Sequence, residues 1–317
     1  MAWLKLIRWQ NLLIIMLTQL LAWWCVILPE HNAHGNTSLL LTPLNFCFLS
    51  AATILIAASG YIINDYFDVK IDTINRPGKV ILGKAIPRKT AIIWHTVLNA
   101  IALLLAGYVA ARAHHYEWLL LQLGCTLLLW FYSTHFKRQY ISGNVVVALL
   151  TALTILVLVV YEPVMHQHLH LRLLQPLPAG TPPSFPLWIL VIYSCFAFLL
   201  TWMREIVKDM EDLKGDEAEG CVTMPIRLGL KAASRFTVFL ACLAIAPLLL
   251  AATALYINHH TVLAIYTLLC LSLPLIAWAI HLPSKADTQH YARASRGLKI
   301  IMIAGVCSLV IYHFQLQ

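Results

Sequence analysis

The apolar residues of this chain fall in long runs separated by short polar loops, and that pattern limits the fold more than any other feature. A bilayer-spanning helix needs about 20 predominantly apolar residues. Backbone in hydrocarbon must also satisfy its own hydrogen bonds, which a helix does. Runs at roughly 11–28, 43–63, 90–111, 116–134, 143–161, 186–203, 236–257, 262–282 and 298–316 predict nine spans. The 317 residues are 60% hydrophobic and only 11% charged, against about 25% charged in soluble domains. No soluble domain remains to be placed. The expectation is an all-α, polytopic membrane protein, about nine transmembrane helices around a central cavity, with residues 1–317 forming a single domain.

The formal charge of +8 would suit a nucleic-acid partner, but its placement argues against one. All of the 22 Lys and Arg residues except Arg112 and Arg172 fall in loops on one side of the predicted membrane. The positive-inside rule then puts the N-terminus and those loops in the cytoplasm. The first apolar run lacks a small-residue cleavage site and reads as a retained helix, with residues 4–9 as an interfacial anchor. The eight cysteines are scattered with no CxxC spacing, which predicts inert thiols rather than a disulfide framework or a zinc site. The alternating His166, His168 and His170 read as a solvated loop.

Ten of the 14 carboxylates sit in two short segments. The first holds Asp65, Asp68 and Asp72 after the second span. The second holds Glu205, Asp209, Glu211, Asp212, Asp216, Glu217 and Glu219 after the sixth. Each contains Asp, three on Asp, four on Asp, which on a continuous helix returns to one face. Like charges at that spacing repel, and the arrangement becomes useful when a cation sits between two such faces. Carboxylate and amide oxygens suit Mg²⁺, which typically takes one or two carboxylates together with substrate phosphates. Arg76, Lys79, Lys84, Arg88 and Lys89 follow the first segment, and Arg204, Lys208 and Lys214 thread the second. Such crowding reads as a phosphate site. Prolines and glycines make 73–88 an irregular loop able to cover a ligand.

These residues resemble a known family. Asn64-Asp65-Tyr66-Phe67-Asp68-Val69-Lys70-Ile71-Asp72 is similar to the NDxxDxxxD motif of the UbiA superfamily of intramembrane prenyltransferases. Asp209-Met210-Glu211-Asp212-Leu213-Lys214-Gly215-Asp216 resembles its second aspartate-rich motif, and Tyr132-Ser133-Thr134-His135-Phe136-Lys137 its Tyr-to-Lys segment. Arg204-Glu205-Ile206-Val207-Lys208-Asp209 and Asn75-Arg76-Pro77 look most like the ether-lipid branch, the geranylgeranylglycerol-phosphate geranylgeranyltransferases. Lys79-Val80-Ile81-Leu82-Gly83-Lys84 departs from the Arg-Pro-Ile-x-Ser-Gly of that branch, and the departure bears on the acceptor.

The resemblance implies Mg²⁺-dependent transfer of a long isoprenyl chain from its diphosphate to a lipid-soluble acceptor, with geranylgeranylglycerol phosphate as the first choice. It implies Asp65, Asp68, Asp209 and Asp212 as Mg²⁺ ligands, with Asp72 and Asp216 one turn further out. Asn64, Arg76, Lys79, Tyr132, Lys137, Arg204 and Lys208 would bind substrate, and Tyr132 and Trp202 would face the allyl cation. The implied partners are an isoprenyl diphosphate, a lipophilic acceptor and membrane lipid, met at the cytoplasmic side of a multi-pass membrane protein. Aromatic acceptors share the same donor machinery and stay open. So, in a different class, does a divalent-cation transporter.

Overall fold

The computed structural model describes residues 1–34, 39–78, 80–163, 165, 185–284 and 287–316. Lys79, the three alternating histidines and Arg172 lie outside the described residues. A short helix α1 (Ala2–Leu6) leads into α2 (Trp9–Asn32), α3 (Pro43–Asn75), α4 (Arg88–Ala113), α5 (Leu119–Thr134) and α6 (Ser142–Val160). Then follow α7 (Phe185–Glu211), α8 (Leu213–Ala218), α9 (Met224–Leu228), α10 (Leu230–Ile257), α11 (Thr261–His281) and α12 (Thr288–Leu316). Among the described residues there is no strand; a single isolated bridge pairs Leu82 with Ile86.

Eight of these helices are long and apolar enough to cross a membrane: α2, α3, α4, α6, α7, α10, α11 and α12. The ninth expected span is α5, which has 16 residues. That is about 24 Å of helix, short of the roughly 30 Å hydrocarbon core. A 3₁₀ turn, Tyr116–Trp118, extends it at its N-terminal end.

Several helices outrun their apolar stretches. The clearest is α3, whose 33 residues make about 50 Å of helix. Thr42 caps its start by accepting from the Asn45 amide at 3.4 Å, and Pro43 occupies the first turn, where its missing N–H costs nothing. It ends at Asn75 because Pro77 disfavours helical backbone at Arg76. Asp65, Asp68 and Asp72 therefore stand on regular helix beyond the span.

Six helices close a ring. Around it, α2 packs on α3, α3 on α5, α5 on α6, α6 on α7, α7 on α12, and α12 back on α2. Outside the ring, α4 lies against α3 and α5, while α10 and α11 lie against α7 and α12. The end of the ring away from the aspartates is filled by a buried cluster that includes Leu21, Ile27, Leu49, Trp118, Leu158 and Tyr161. Just inside it the fully buried Gln19 donates from Nε2 to Thr53 Oγ1 (3.2 Å) and to the Thr154 carbonyl (2.8 Å), tying α2, α3 and α6 together.

The 73–88 segment differs from the irregular loop expected. Residues 73–75 complete α3, and Leu82 and Ile86 are buried against Leu6, Ile62 and Ala91. Its apolar side chains are anchored on α1 and α3, which the count of prolines and glycines does not reveal. All eight cysteines are free thiols.

Candidate active site

The six-helix ring encloses a cavity of about 280 Å³. Its apolar shaft is lined by Ile56, Ala57, Leu129, Leu150 and Leu153, and its mouth by charged side chains at the helix ends. Of the residues predicted from sequence, Asn64, Asp68, Asp72, Arg76, Tyr132, Lys137, Arg204, Lys208, Asp209, Asp212 and Asp216 all line it.

Asp68 is 4% exposed at the centre of the first row. Its Oδ2 accepts from Asn64 Nδ2 at 2.6 Å, one turn back on the same helix, and from Lys137 Nζ. Lys137 arrives on a 3₁₀ turn, Phe136–Arg138, that follows α5. Gly143 lets that turn lie against the start of α6, since a Cβ there would sit 2.7 Å from the Phe136 carbonyl oxygen. Burial opposes the Lys137 charge, but the Asp68 carboxylate prevails and holds the ammonium well above its ordinary pKa. Asp65, by contrast, is turned to Arg8, whose Nη2 donates to it at 2.8 Å, and it does not line the cavity. Arg8 also lies over the Tyr61 ring at 5.0 Å.

The second row is built differently. Helix α7 ends at Glu211, Asp212 leaves the helix at φ −94° and ψ 9°, and α8 restarts at Leu213. Asp209 thus lies in the last turn of a long helix while Asp216 sits on a short one, so the expected single face is broken at its middle residue. Asp209 Oδ2 accepts from Asn144 Nδ2 of α6 at 2.8 Å. Asp212 accepts from Arg76 Nη2 at 2.9 and 3.1 Å, and the same nitrogen donates to Glu211 at 2.9 Å. Asp216, expected further out, is 4% exposed. Burial raises the Asp212 carboxyl against the pull of Arg76. Burial also pushes Asp216 up to about 7, with Lys137 opposing.

Asn75, the last residue of α3, joins the two rows. It donates from Nδ2 to the Asp212 carbonyl (2.9 Å) and accepts at Oδ1 from the Gly215 amide (2.8 Å). A Cβ on Gly215 would come within 2.4 Å of the Asn75 amide, so only glycine permits this approach.

The donor set fits a hard divalent cation. Asp68, Asp72, Asp209, Asp212 and Asp216 present only oxygen to one cavity. The buried Oδ1 of Asn64 has no hydrogen-bond partner, a state that costs energy unless something else binds there. Among the described residues no three carboxylate, histidine or cysteine side chains form a ready-made metal cluster. An ion bound here would rest on one or two of these carboxylates together with substrate phosphate oxygens.

Sequence reasoning placed Trp202 at the cavity, but it packs edge-on against Phe198 and Phe236 and does not line it. The 100° step per residue carries it away from Arg204 and toward α10. Sequence reasoning missed Arg8, Asn11 and Lys299, which line the mouth from the α1–α2 turn, α2 and α12. Arg8 is held there by a left-handed residue conformation, φ 51°, that turns the chain between α1 and α2.

The sequence matches the UbiA prenyltransferase family over residues 20–302. It is 29% identical to the digeranylgeranylglyceryl phosphate synthase of Thermococcus sibiricus over 274 residues, 86% of each chain. It is 31% identical to the protein of the same name from Methanothermobacter thermautotrophicus over 189 residues, 59% of this chain and 58% of that relative. Its fold is like that of a solved digeranylgeranylglyceryl phosphate synthase, with a TM-score of 0.63 at 23% identity over 98% of both chains. A UbiA homolog from Archaeoglobus fulgidus bound to DMAPP and Mg²⁺ aligns with a TM-score of 0.55 at 16% identity, over 98% of this chain and 99% of that one. With matching motifs, ring and coverage, this chain belongs to the UbiA prenyltransferase family.

Proposed function

We propose that this chain is a single-domain, Mg²⁺-dependent prenyltransferase. In this reading it moves a geranylgeranyl group from its diphosphate onto the free hydroxyl of geranylgeranylglycerol phosphate. The observation that carries this is one cavity with two aspartate rows at its mouth and an apolar shaft beneath them. Asp68 and Thr53 both line it from α3, about 22 Å apart at 1.5 Å per residue. An extended chain of four isoprene units is about 20 Å long from ordinary bond lengths. The packed cluster below Thr53 closes the shaft, which also disfavours a transport path through the ring.

Asp68, Asp72, Asp209, Asp212 and Asp216, with Asn64 Oδ1, would hold Mg²⁺ against the donor. Asp65 would act through Arg8 instead. Bound there, the ion would neutralise charge on the diphosphate. Lys137 and Arg76, now spread over Asp68 and Asp212, donate to diphosphate oxygens as negative charge builds on them. The bond between the allylic carbon and the diphosphate oxygen breaks. A bond forms between that carbon and the acceptor hydroxyl oxygen, whose proton goes to solvent, and diphosphate leaves. The shaft keeps water from the allyl cation, and the Tyr132 ring at its upper end stabilises positive charge. Lys79 remains a proposed phosphate ligand on its position after Arg76 alone.

The side of the ring that carries the aspartates also carries Arg8, Arg76, Lys137, Lys208 and Lys299. By the positive-inside rule that mouth, and the N-terminus beside it, face the cytoplasm, with α5 serving as a ninth, shortened span. The test is a purified-enzyme assay with labelled geranylgeranyl diphosphate, Mg²⁺ and competing acceptors. Transfer to geranylgeranylglycerol phosphate is expected. Labelling of an aromatic acceptor such as 4-hydroxybenzoate in its place would overturn the acceptor.

A further inference from the structure

The mouth of the cavity has two electrostatic flanks, and the aspartate rows account for only one. At 100° per residue on α7, Arg204 and Lys208 fall within about 40° of each other. Asp209 lies about 120° round the same helix, with Glu205 between it and the two cations. The carboxylate flank meets α6, where Asn144 bonds Asp209. The cationic flank faces α12, and Lys299 of α12 lines the cavity together with Arg8 of the α1–α2 turn and Asn11 of α2.

Four cations stand on that wall against two carboxylates. Asp65 engages Arg8 at 2.8 Å, and Glu205 accepts from both Lys208 (2.7 Å) and Arg204 (3.2 Å). Lys299 Nζ donates to the neutral oxygen of Asn11 at 2.7 Å. Arg204 Nε is buried with no hydrogen-bond partner. A surplus of about two positive charges remains, which matches the −1.5 to −2 of a phosphomonoester at neutral pH. An unspent buried guanidinium N–H is costly unless a ligand takes it, and Arg suits bidentate contact with phosphate.

We infer that Arg204, Lys208 and Lys299, steadied by Asn11 and Arg8, form a second anion subsite for the phosphomonoester headgroup of a lipid acceptor, separate from the donor diphosphate site. This rests on the acceptor reading proposed above. It assigns the acceptor headgroup to the α2–α7–α12 side of the mouth and leaves the aspartate side to the donor.

The test is steady-state kinetics of purified enzyme in detergent, with KM measured separately for each substrate. Lys299→Gln should raise the KM for geranylgeranylglycerol phosphate at least tenfold, the ordinary worth of one charged hydrogen bond. The KM for geranylgeranyl diphosphate should change less than twofold. Lys299→Arg should restore most of the loss. Wild-type enzyme should use dephosphorylated geranylgeranylglycerol at least tenfold less well, and Lys299→Gln should narrow that gap. Equal KM shifts for donor and acceptor, or no discrimination by wild type between the two acceptors, would overturn the subsite while leaving the reaction intact. Inorganic phosphate as effective a competitor as the lipid acceptor would show a free-anion site instead. Failure of transfer to any glycerol lipid would sink the acceptor reading itself, a distinct result.

Discussion

The two aspartate rows share one spacing and differ in backbone. Asp65, Asp68 and Asp72 ride an unbroken helix that projects past the membrane span. Asp209, Asp212 and Asp216 straddle the end of α7, a bend at Asp212 and the start of α8. On the regular helix the first member is lost to the cavity, because Asp65 points to Arg8. At the broken helix all three members line it. Equal spacing in sequence therefore supplies unequal numbers of cavity-lining carboxylates, two from the regular row and three from the broken one.

Removing the ion tests what the rows share. EDTA should abolish turnover and Mg²⁺ restore it, read by release of labelled product. Asp68→Ala and Asp212→Ala should each lower kcat/KM by about a thousandfold or more, equivalent to about 4 kcal/mol, with the protein still inserted in membranes. Retention of turnover within tenfold by either variant would show that one row suffices.

The bend itself can be probed at Gly215. Gly215→Ala drives a Cβ into the Asn75 amide and should cost about 1–3 kcal/mol of stability, read as a lower Tm, together with reduced turnover. Asn75→Ala removes the obstacle, so the double variant should be less damaged than the sum of the singles. Additive losses would mean that the two rows are not joined through this contact.

A smaller effect is expected at Asp65. Asp65→Asn should reduce kcat/KM about tenfold, about 1.4 kcal/mol, well below the loss at Asp68. It should be non-additive with Arg8→Gln, because the two groups form one pair. Loss at Asp65 as large as at Asp68 would put it back among the direct ligands. Smallest of all, Asn144→Ala should lower turnover several-fold by releasing Asp209, the weight of a single hydrogen bond of about 1 kcal/mol.

The helical spans and both rows were legible because they are local: apolar runs of span length, and carboxylates at three and four steps in a chain with few of them. The bend at Asp212 was not, since its cause is the Asn75 clamp from another helix. Arg8 read as an interfacial anchor, and Lys299 as one more basic residue on its side of the membrane. What gives each its role is a partner far away in sequence, Asp65 for one and Asn11 for the other. Hydropathy and spacing carry no such information. The filled end of the ring was equally hidden, because Gln19 looks like a stray polar residue until Thr53 and Thr154 are beside it.

The contact between Lys299 and Asn11 joins residues 288 positions apart. One wall of the reaction chamber is therefore closed by α12 against α2. Until those two helices have docked, that flank stands open to lipid, and the chamber cannot hold a reactive chain apart from its surroundings.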